Sequence, residues 1–235
     1  MRLAHTHGTL AALAALGAVL ATRTPGTFAQ PPPADARQVA AAVQSFYEQT
    51  RGVRARFHQT YYERLYDRYR RSHGTVLFVK PGRMRWDYAE PRGKVIASDG
   101  RLLRYLEPAS GGLAASCVET EVDEDQLPAA FSFLTGVGRL EQSFSFRLLD
   151  RVRHGYPEGF VLELRSLQPS PHFERILLYV PEHQGRAAGV VRRVLIVDAE
   201  GNRNRFDFSE MQWNPSATDA LFRVQPPRGV RCTRP

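Results

Sequence analysis

Covalent chemistry needs clustered reactive side chains, and this chain offers few. His5 and His7 sit at the extreme N-terminus, while His58, His73, His154, His172 and His183 are scattered singly among loops and strand ends. No histidine pair has the spacing of a helical metal site, and two cysteines cannot build a zinc cluster. A Gly-x-Ser-x-Gly elbow, a phosphate-cradling Gly-rich loop and a Cys-x-x-Cys pair are all missing from the sequence. Asp123-Glu124-Asp125 could hold a cation weakly but reads better as a charge cluster at a helix start. The expectation is therefore a protein that is not an enzyme and needs no metal and no cofactor; a hydrolase with dispersed catalytic residues is the competing catalytic reading. Cys117 and Cys232 have a chemistry of their own. In an exported chain an even count suggests a disulfide, which would close a loop of ~115 residues and contribute about 4 to 5 kcal/mol in the chain-entropy model. The alternative is two free thiols too far apart to meet.

The recurring residue types are large and apolar. From Gly74 to Tyr105 three short apolar strands are joined by a Pro81-Gly82 turn and an Asp99-Gly100 turn. Met84, Trp86 and Tyr88 recur at period two, with Arg83, Arg85 and Asp87 between them, so one face of that strand is large and greasy and the other charged. Phe57, Phe78, Tyr105, Phe144, Phe146 and Phe160 add further bulk at alternating positions. Either these groups pack on one another or they line a pocket. Stacking of nucleic-acid bases needs aromatics and cations on one accessible surface; here the arginines lie on the face opposite the aromatics, so no nucleic acid is expected.

The elements that must position these side chains follow from spacing. Asp35 is placed to cap a helix running to about Thr50, with Val39, Val43, Phe46 and Tyr47 as one apolar stripe and Gly52 as its stop. Strand-like alternation then covers Val53 to Tyr69, with a break near Glu63–Asp67, and recurs at about 74–80, 83–89, 94–98, 101–107 and 116–122. Such spacing predicts an antiparallel meander. A short apolar helix is predicted around Leu127, Phe131 and Leu134. Alternation resumes at Phe144–Leu148, Phe160–Leu164, Ile176–Val180, Val190–Asp198 and Arg203–Phe208, followed by a short helix near Ala217–Leu221. About ten strands of this length build a sandwich or a strongly bent, barrel-like sheet.

The N-terminus stands apart from this core. Arg2 precedes an apolar run from Leu10 to Ala21, with small-residue sites after Ala21 and Ala29, the layout of a secretory signal peptide over residues 1–29. The run is shorter than the ~20 residues of a bilayer span, and no cysteine follows it to accept a lipid. Residues 30–34 read as a stiff Pro-rich leader and 35–235 as a single β-domain. The formal net charge is +8, carried almost wholly by arginine, since Lys80 and Lys94 are the only lysines. Basic and acidic residues are interspersed, the pattern of a solvated outer face.

Taken in order, these features resemble a known family. The signal peptide, the amphipathic helix, Phe57-x-Gln59, Gly74…Val79-Lys80-Pro81-x-x-x-x-Trp86-x-Tyr88-x-x-Pro91, Ser98-Asp99-Gly100, Tyr105, Leu134 and Phe222…Pro227-x-Gly229-Val230 are similar to the periplasmic outer-membrane lipoprotein carriers, the LolA family. The resemblance implies a mainly β fold with short helices: an open, incomplete antiparallel β-barrel of about eleven strands covered by a helical lid. It implies a monomeric periplasmic chaperone whose partners are acylated lipoproteins, an inner-membrane ABC exporter and an outer-membrane receptor. The cavity would be lined by Phe57, Phe78, Met84, Trp86, Tyr88, Tyr105, Phe144, Phe146 and Phe160, and the lid would use Val43, Phe46, Leu127, Phe131 and Leu134. Lys80 stands where the family usually has an arginine that latches the lid. A ~14-carbon chain gains roughly 11 kcal/mol on burial, so such a carrier would close on itself when empty and let cargo displace lid contacts. The competing readings are a receptor of the same superfamily, an envelope lipid- or glycolipid-binding stress sensor, and a structural sandwich with a filled core.

Overall fold

The computed structural model describes residues 35–122, 138–183 and 185–234. The expected signal peptide, the Pro-rich leader, Asp123-Glu124-Asp125 and the Leu127, Phe131 and Leu134 segment lie outside the described residues.

Helix α1 spans Ala36–Gln49. Asp35 caps it reciprocally: Asp35 Oδ1 accepts the Gln38 N–H at 2.8 Å, and Gln38 Oε1 accepts the Asp35 N–H at 3.2 Å, a capping box. The helix does not stop at a left-handed Gly52. Thr50 turns the backbone extended and its Oγ1 donates to Phe46 O at 2.8 Å, while Asn214 Oδ1 accepts the Arg51 N–H at 2.7 Å. Gly52 instead opens the first strand, where a Cβ would stand 2.7 Å from the Phe78 carbonyl oxygen.

Among the described residues twelve strands form one sheet. The first six are β1 (Gly52–Glu63), β2 (Arg68–Val79), β3 (Arg83–Glu90), β4 (Val95–Asp99), β5 (Leu102–Glu107) and β6 (Ser116–Glu121). A single helical turn, α2 (Leu140–Ser143), leads into β7 (Phe144–Leu149), β8 (Gly159–Ser166), β9 (Arg175–Pro181), β10 (Arg193–Val197) and β11 (Arg203–Trp213), and β12 (Cys232–Thr233) comes last. The order β12-β6-β5-β4-β3-β2-β1-β11-β10-β9-β8-β7 shows two antiparallel meanders joined where β11 returns to pair with β1. β12 lies parallel to β6. The two ends of the order do not pair, so the sheet is open.

Several strand boundaries differ from those predicted. β2 begins at Arg68 and pairs with β1 to the end of a long hairpin; alternation weakens there because both faces of its outer part are solvated. β10 is limited to Arg193–Val197. Val190 and Val191 are buried outside it, beside Gly189, whose ideal Cβ would fall 2.2 Å from Ala42 O of α1. Helix and loop backbones touch there, and only glycine permits it. His58 and His73, scattered in sequence, are cross-strand partners with rings 5.9 Å apart.

One hydrophobic cluster unites α1 (Val39, Ala40, Val43, Tyr47) with inward side chains of strands from Leu103 on β5 through Phe57 on β1 to Leu162 on β8. A single cluster reaching across so many strands requires the sheet to curl around it, with α1 laid on its inner face. The outer face carries ion pairs: Arg85 with Asp87 at 2.7 Å, Arg193 with Asp207 at 2.5 Å, and the nearly buried Glu163 held by Arg147 at 2.7 Å and Arg175 at 3.4 Å. It also carries two smaller cores, one under Val224 and one around Tyr179.

Candidate functional site

The inner face is built by period two. Phe57 on β1 meets Trp86 edge-on at 4.9 Å and Tyr88 at 5.0 Å, both on β3, with β2 running between the two strands. Phe78 meets Trp86 edge-on at 5.6 Å. Phe57, Phe78, Met84, Trp86, Tyr88 and Phe144 are buried, and Tyr105, Phe146 and Phe160 are half-buried and packed against the same cluster. The structure thus brings all nine predicted cavity residues to one face. It adds two that sequence reasoning passed over: Phe206, 5.2 Å from Trp86, and Phe208, 6.3 Å from it. Their alternation on β11 was visible. Their meeting with Trp86 was not, because it depends on β11 pairing with β1 across some 145 residues.

These rings interlock rather than stand apart. Within the cluster a cavity lined by Tyr47, Val53, Ala55, Val76, Phe78, Val191, Phe208 and Met211 leaves about 10 Å³ for the centre of a water-sized sphere, room for one water at most. This part of the inner face is occupied by its own side chains, whereas Phe144 and Phe146 line an opening of about 420 Å³ with Arg37, Glu141, Ser145 and Leu167.

Two of the predicted lid residues lie on α1. Val43 is fully buried, and Phe46 is half-buried with its ring 4.9 Å from Trp213. Tyr47 Oη accepts the Val191 N–H at 3.2 Å, and burial pushes its phenol well above the ordinary range. Lys80 reaches the end of this helix: its Nζ donates to Tyr47 O and, at 3.2 Å, to Glu48 O. Both carbonyls belong to the last turn, at the negative end of the helix dipole, and Tyr47 O also accepts the Thr50 N–H at 3.1 Å. Burial lowers the Lys80 ammonium below its usual range, and Glu48 opposes that shift. The Lys80 N–H also donates to Arg51 O at 2.9 Å, so side chain and backbone both tie β2 to the helix end. The turns beside it are coupled as well. Ser98 Oγ donates to Gly82 O at 3.2 Å and accepts the Gly100 N–H at 3.0 Å, which accounts for Pro81-Gly82 and Ser98-Asp99-Gly100 occurring together.

At the other end of the same strands the inner face turns polar. Tyr88 Oη donates to Gln59 Oε1 at 3.0 Å, and Gln59 Nε2 donates to Asn204 Oδ1 at 2.9 Å. Burial, with Glu107 nearby, pushes the Tyr88 phenol well above its ordinary value. Beside this row opens a groove of about 620 Å³ that includes Tyr61, Arg70, Lys94 and Glu107. Among the described residues no group of three or more His, Cys, Asp or Glu side chains is placed to hold a metal. The two cysteines meet: Cys117 and Cys232 are disulfide-bonded, with Cα atoms 4.4 Å apart.

The family model described as "Outer membrane lipoprotein carrier protein LolA" matches residues 48–225. A curated outer-membrane lipoprotein carrier protein of Nitrosomonas europaea is 26% identical over 193 residues, covering 82% of this chain and 87% of its own. That of Nitrosospira multiformis is 27% identical over 189 residues, covering 80% and 85%. The solved structure of an uncharacterized conserved protein from Thermus thermophilus superposes with a TM-score of 0.50 at 13% identity, over 85% of this chain and 99% of that one; it shows the fold.

Proposed function

The chain belongs to the outer membrane lipoprotein carrier family LolA, and from that premise we propose that it is a periplasmic chaperone that shelters the acyl chains of lipoproteins between the inner and outer membranes. The observation that supports this reading best is the continuous apolar inner face, from Leu103 through Trp86 and Phe57 to Leu162, covered by a helix whose end is tied down by Lys80. Hydrocarbon asks for apolar area and shape, not for polar partners. On this reading the packed interior is the empty state: ring-on-ring contacts stand in for cargo, and acyl chains enter by displacing them and lifting the cover. Nothing in the cycle breaks a covalent bond, so no catalytic group is called for. Donor and acceptor would be the inner-membrane exporter and the outer-membrane receptor that the family resemblance implies.

The test is titration of the purified protein with a fluorescent fatty-acyl probe. The expected result is saturable binding, abolished by Trp86→Glu and retained by Val152→Ser, a substitution at an exposed site away from the inner face. Absence of binding, or binding indifferent to Trp86→Glu in a folded variant, would overturn the assignment.

A further inference from the structure

The β1–β2 hairpin runs on past its neighbours. β3 ends at Glu90, opposite His73, so residues 68–72 of β2 overhang it, and β11 accompanies β1 only as far as Tyr62, opposite Arg203. The hairpin's own ladder nevertheless continues to Glu63 and Arg68. Tyr62 and Tyr69 pack across it with ring centroids 4.7 Å apart, and the Arg203 guanidinium lies 4.3 Å over the Tyr62 ring. The turn is tied as well: Tyr62 Oη donates to Asp67 at 3.0 Å, and the Arg64 N–H donates to Asn202 Oδ1 at 2.9 Å. This is a braced arm, not a slack loop.

Its end carries the largest exposed apolar groups at this part of the surface: Leu65 is 82% exposed, Tyr66 69% and Tyr69 54%. Four arginines, Arg64, Arg68, Arg70 and Arg71, stand in the same stretch against two acids, Glu63 and Asp67; Arg64 donates to Glu200 O at 3.3 Å and Arg70 lies over the Tyr61 ring at 5.0 Å. Both acids are already engaged, Glu63 with Arg68 at 3.4 Å and Asp67 with Tyr62. We propose that this tip docks on the surface of an anionic lipid bilayer, with Leu65 and Tyr66 entering the boundary between headgroups and acyl chains and the arginines engaging lipid phosphates. The charge and the side-chain types fit that occupant: tyrosine and leucine favour the interface, guanidinium groups pair with phosphate, and a negative leaflet attracts clustered cations. Arg70 belongs also to the groove beside Tyr88 and Gln59, so docking brings that end of the inner face to the membrane. Any part in handing cargo over rests on the carrier reading; the membrane contact stands on the hairpin alone.

Cosedimentation of the full chain, as the cell processes it, with phosphatidylglycerol/phosphatidylcholine vesicles and with pure phosphatidylcholine vesicles tests this. Any contribution of a retained leader is common to all variants. Wild type should partition onto the anionic vesicles, and about tenfold less onto neutral ones or at about 0.5 M salt. Leu65→Ser/Tyr66→Ser and, separately, Arg68→Gln/Arg71→Gln should each weaken anionic-vesicle binding about tenfold, with unchanged thermal midpoints and unchanged acyl-probe binding. The unchanged probe binding separates this proposal from the carrier assignment. Wild-type protein that ignores protein-free vesicles, as a tip shaped for a protein receptor would, overturns it. So do folded variants of both kinds that bind as wild type.

Discussion

One ammonium group reaches the carbonyl end of helix α1, beside the backbone and Asn214 bonds to Arg51. Lys80 supplies two donors to the carbonyls of Tyr47 and Glu48, where a guanidinium could present a planar fork. Lys80→Met keeps the apolar stem and removes the donors. The expected cost is about 1–2 kcal/mol in denaturant unfolding, with faster amide exchange through residues 36–49. Lys80→Arg should restore both. Unaltered exchange in Lys80→Met would mean that Val39, Ala40, Val43 and Tyr47 secure the helix by burial alone, and that the latch is dispensable. Trp86 poses a different question at the same scale. It contacts Phe57, Phe78 and Phe206, so it is at once core and candidate acyl contact, and only a ligand titration can separate the two roles.

The C-terminal segment after β11 is an outer strap. Arg83 pairs with Asp219, Arg85 donates to Leu221 O at 2.8 Å and Arg104 to Val224 O at 3.2 Å. Cys117–Cys232 and the contact of Arg234 with Glu119 at 3.0 Å then fasten its end to β6. β12 has only two residues, too few to hold by its ladder alone. Hydrogen bonds from Arg234 and Arg104 keep the Glu119 carboxyl below its ordinary value of 4.5. For a lowered carboxylate pKa the stabilisation is complete above that ordinary value and is lost as pH falls through the lowered one. In Cys232→Ser, where the ion pair is backed only by the two-residue ladder, the Thr233 Oγ1–Cys117 O bond at 3.3 Å and Val230 packing, protection of residues 230–234 in hydrogen exchange, corrected for its intrinsic pH dependence, should fall away below about pH 4.5; with the disulfide intact it should persist. Removing the bridge should also cost about 4–5 kcal/mol of global stability. A Cys232→Ser tail that stays protected at low pH would show that Val224 and Val230 packing, not charge, retains it.

On the carrier reading, self-packing of the molecule as a whole would set the affinity. An acyl chain of ~14 carbons entering an open hollow would gain roughly 11 kcal/mol, and entry into a filled interior returns only the difference from the ring contacts displaced. The proposal therefore expects a micromolar Kd, about 8 kcal/mol, together with a shift in Trp86 emission on loading. A low-nanomolar Kd with no change in emission would mean that cargo lies elsewhere than among these rings. Acyl binding and bilayer docking would work from one end of the sheet, where β1 and β2 outrun their neighbours.

Period two placed the aromatic face and the meander from β1 to β6, apart from the outer part of β2, and a helical stripe behind Asp35 placed the capped helix, because those depend on side-chain periodicity and near neighbours in the chain. The order of Phe57-x-Gln59, Lys80-Pro81, Trp86-x-Tyr88 and Ser98-Asp99-Gly100 likewise carried the family resemblance. Tertiary structure decided what spacing could not reach. The pairing of β11 with β1 brings Phe206 and Phe208 onto Trp86, and the return of the tail joins Cys117 to Cys232 over 115 residues. The same pairings left the Arg68–Ser72 stretch overhanging with Leu65 and Tyr66 at its tip. Contacts between distant segments are chosen by which faces can be buried together, and that choice is made by the assembled sheet, not by any window of the chain.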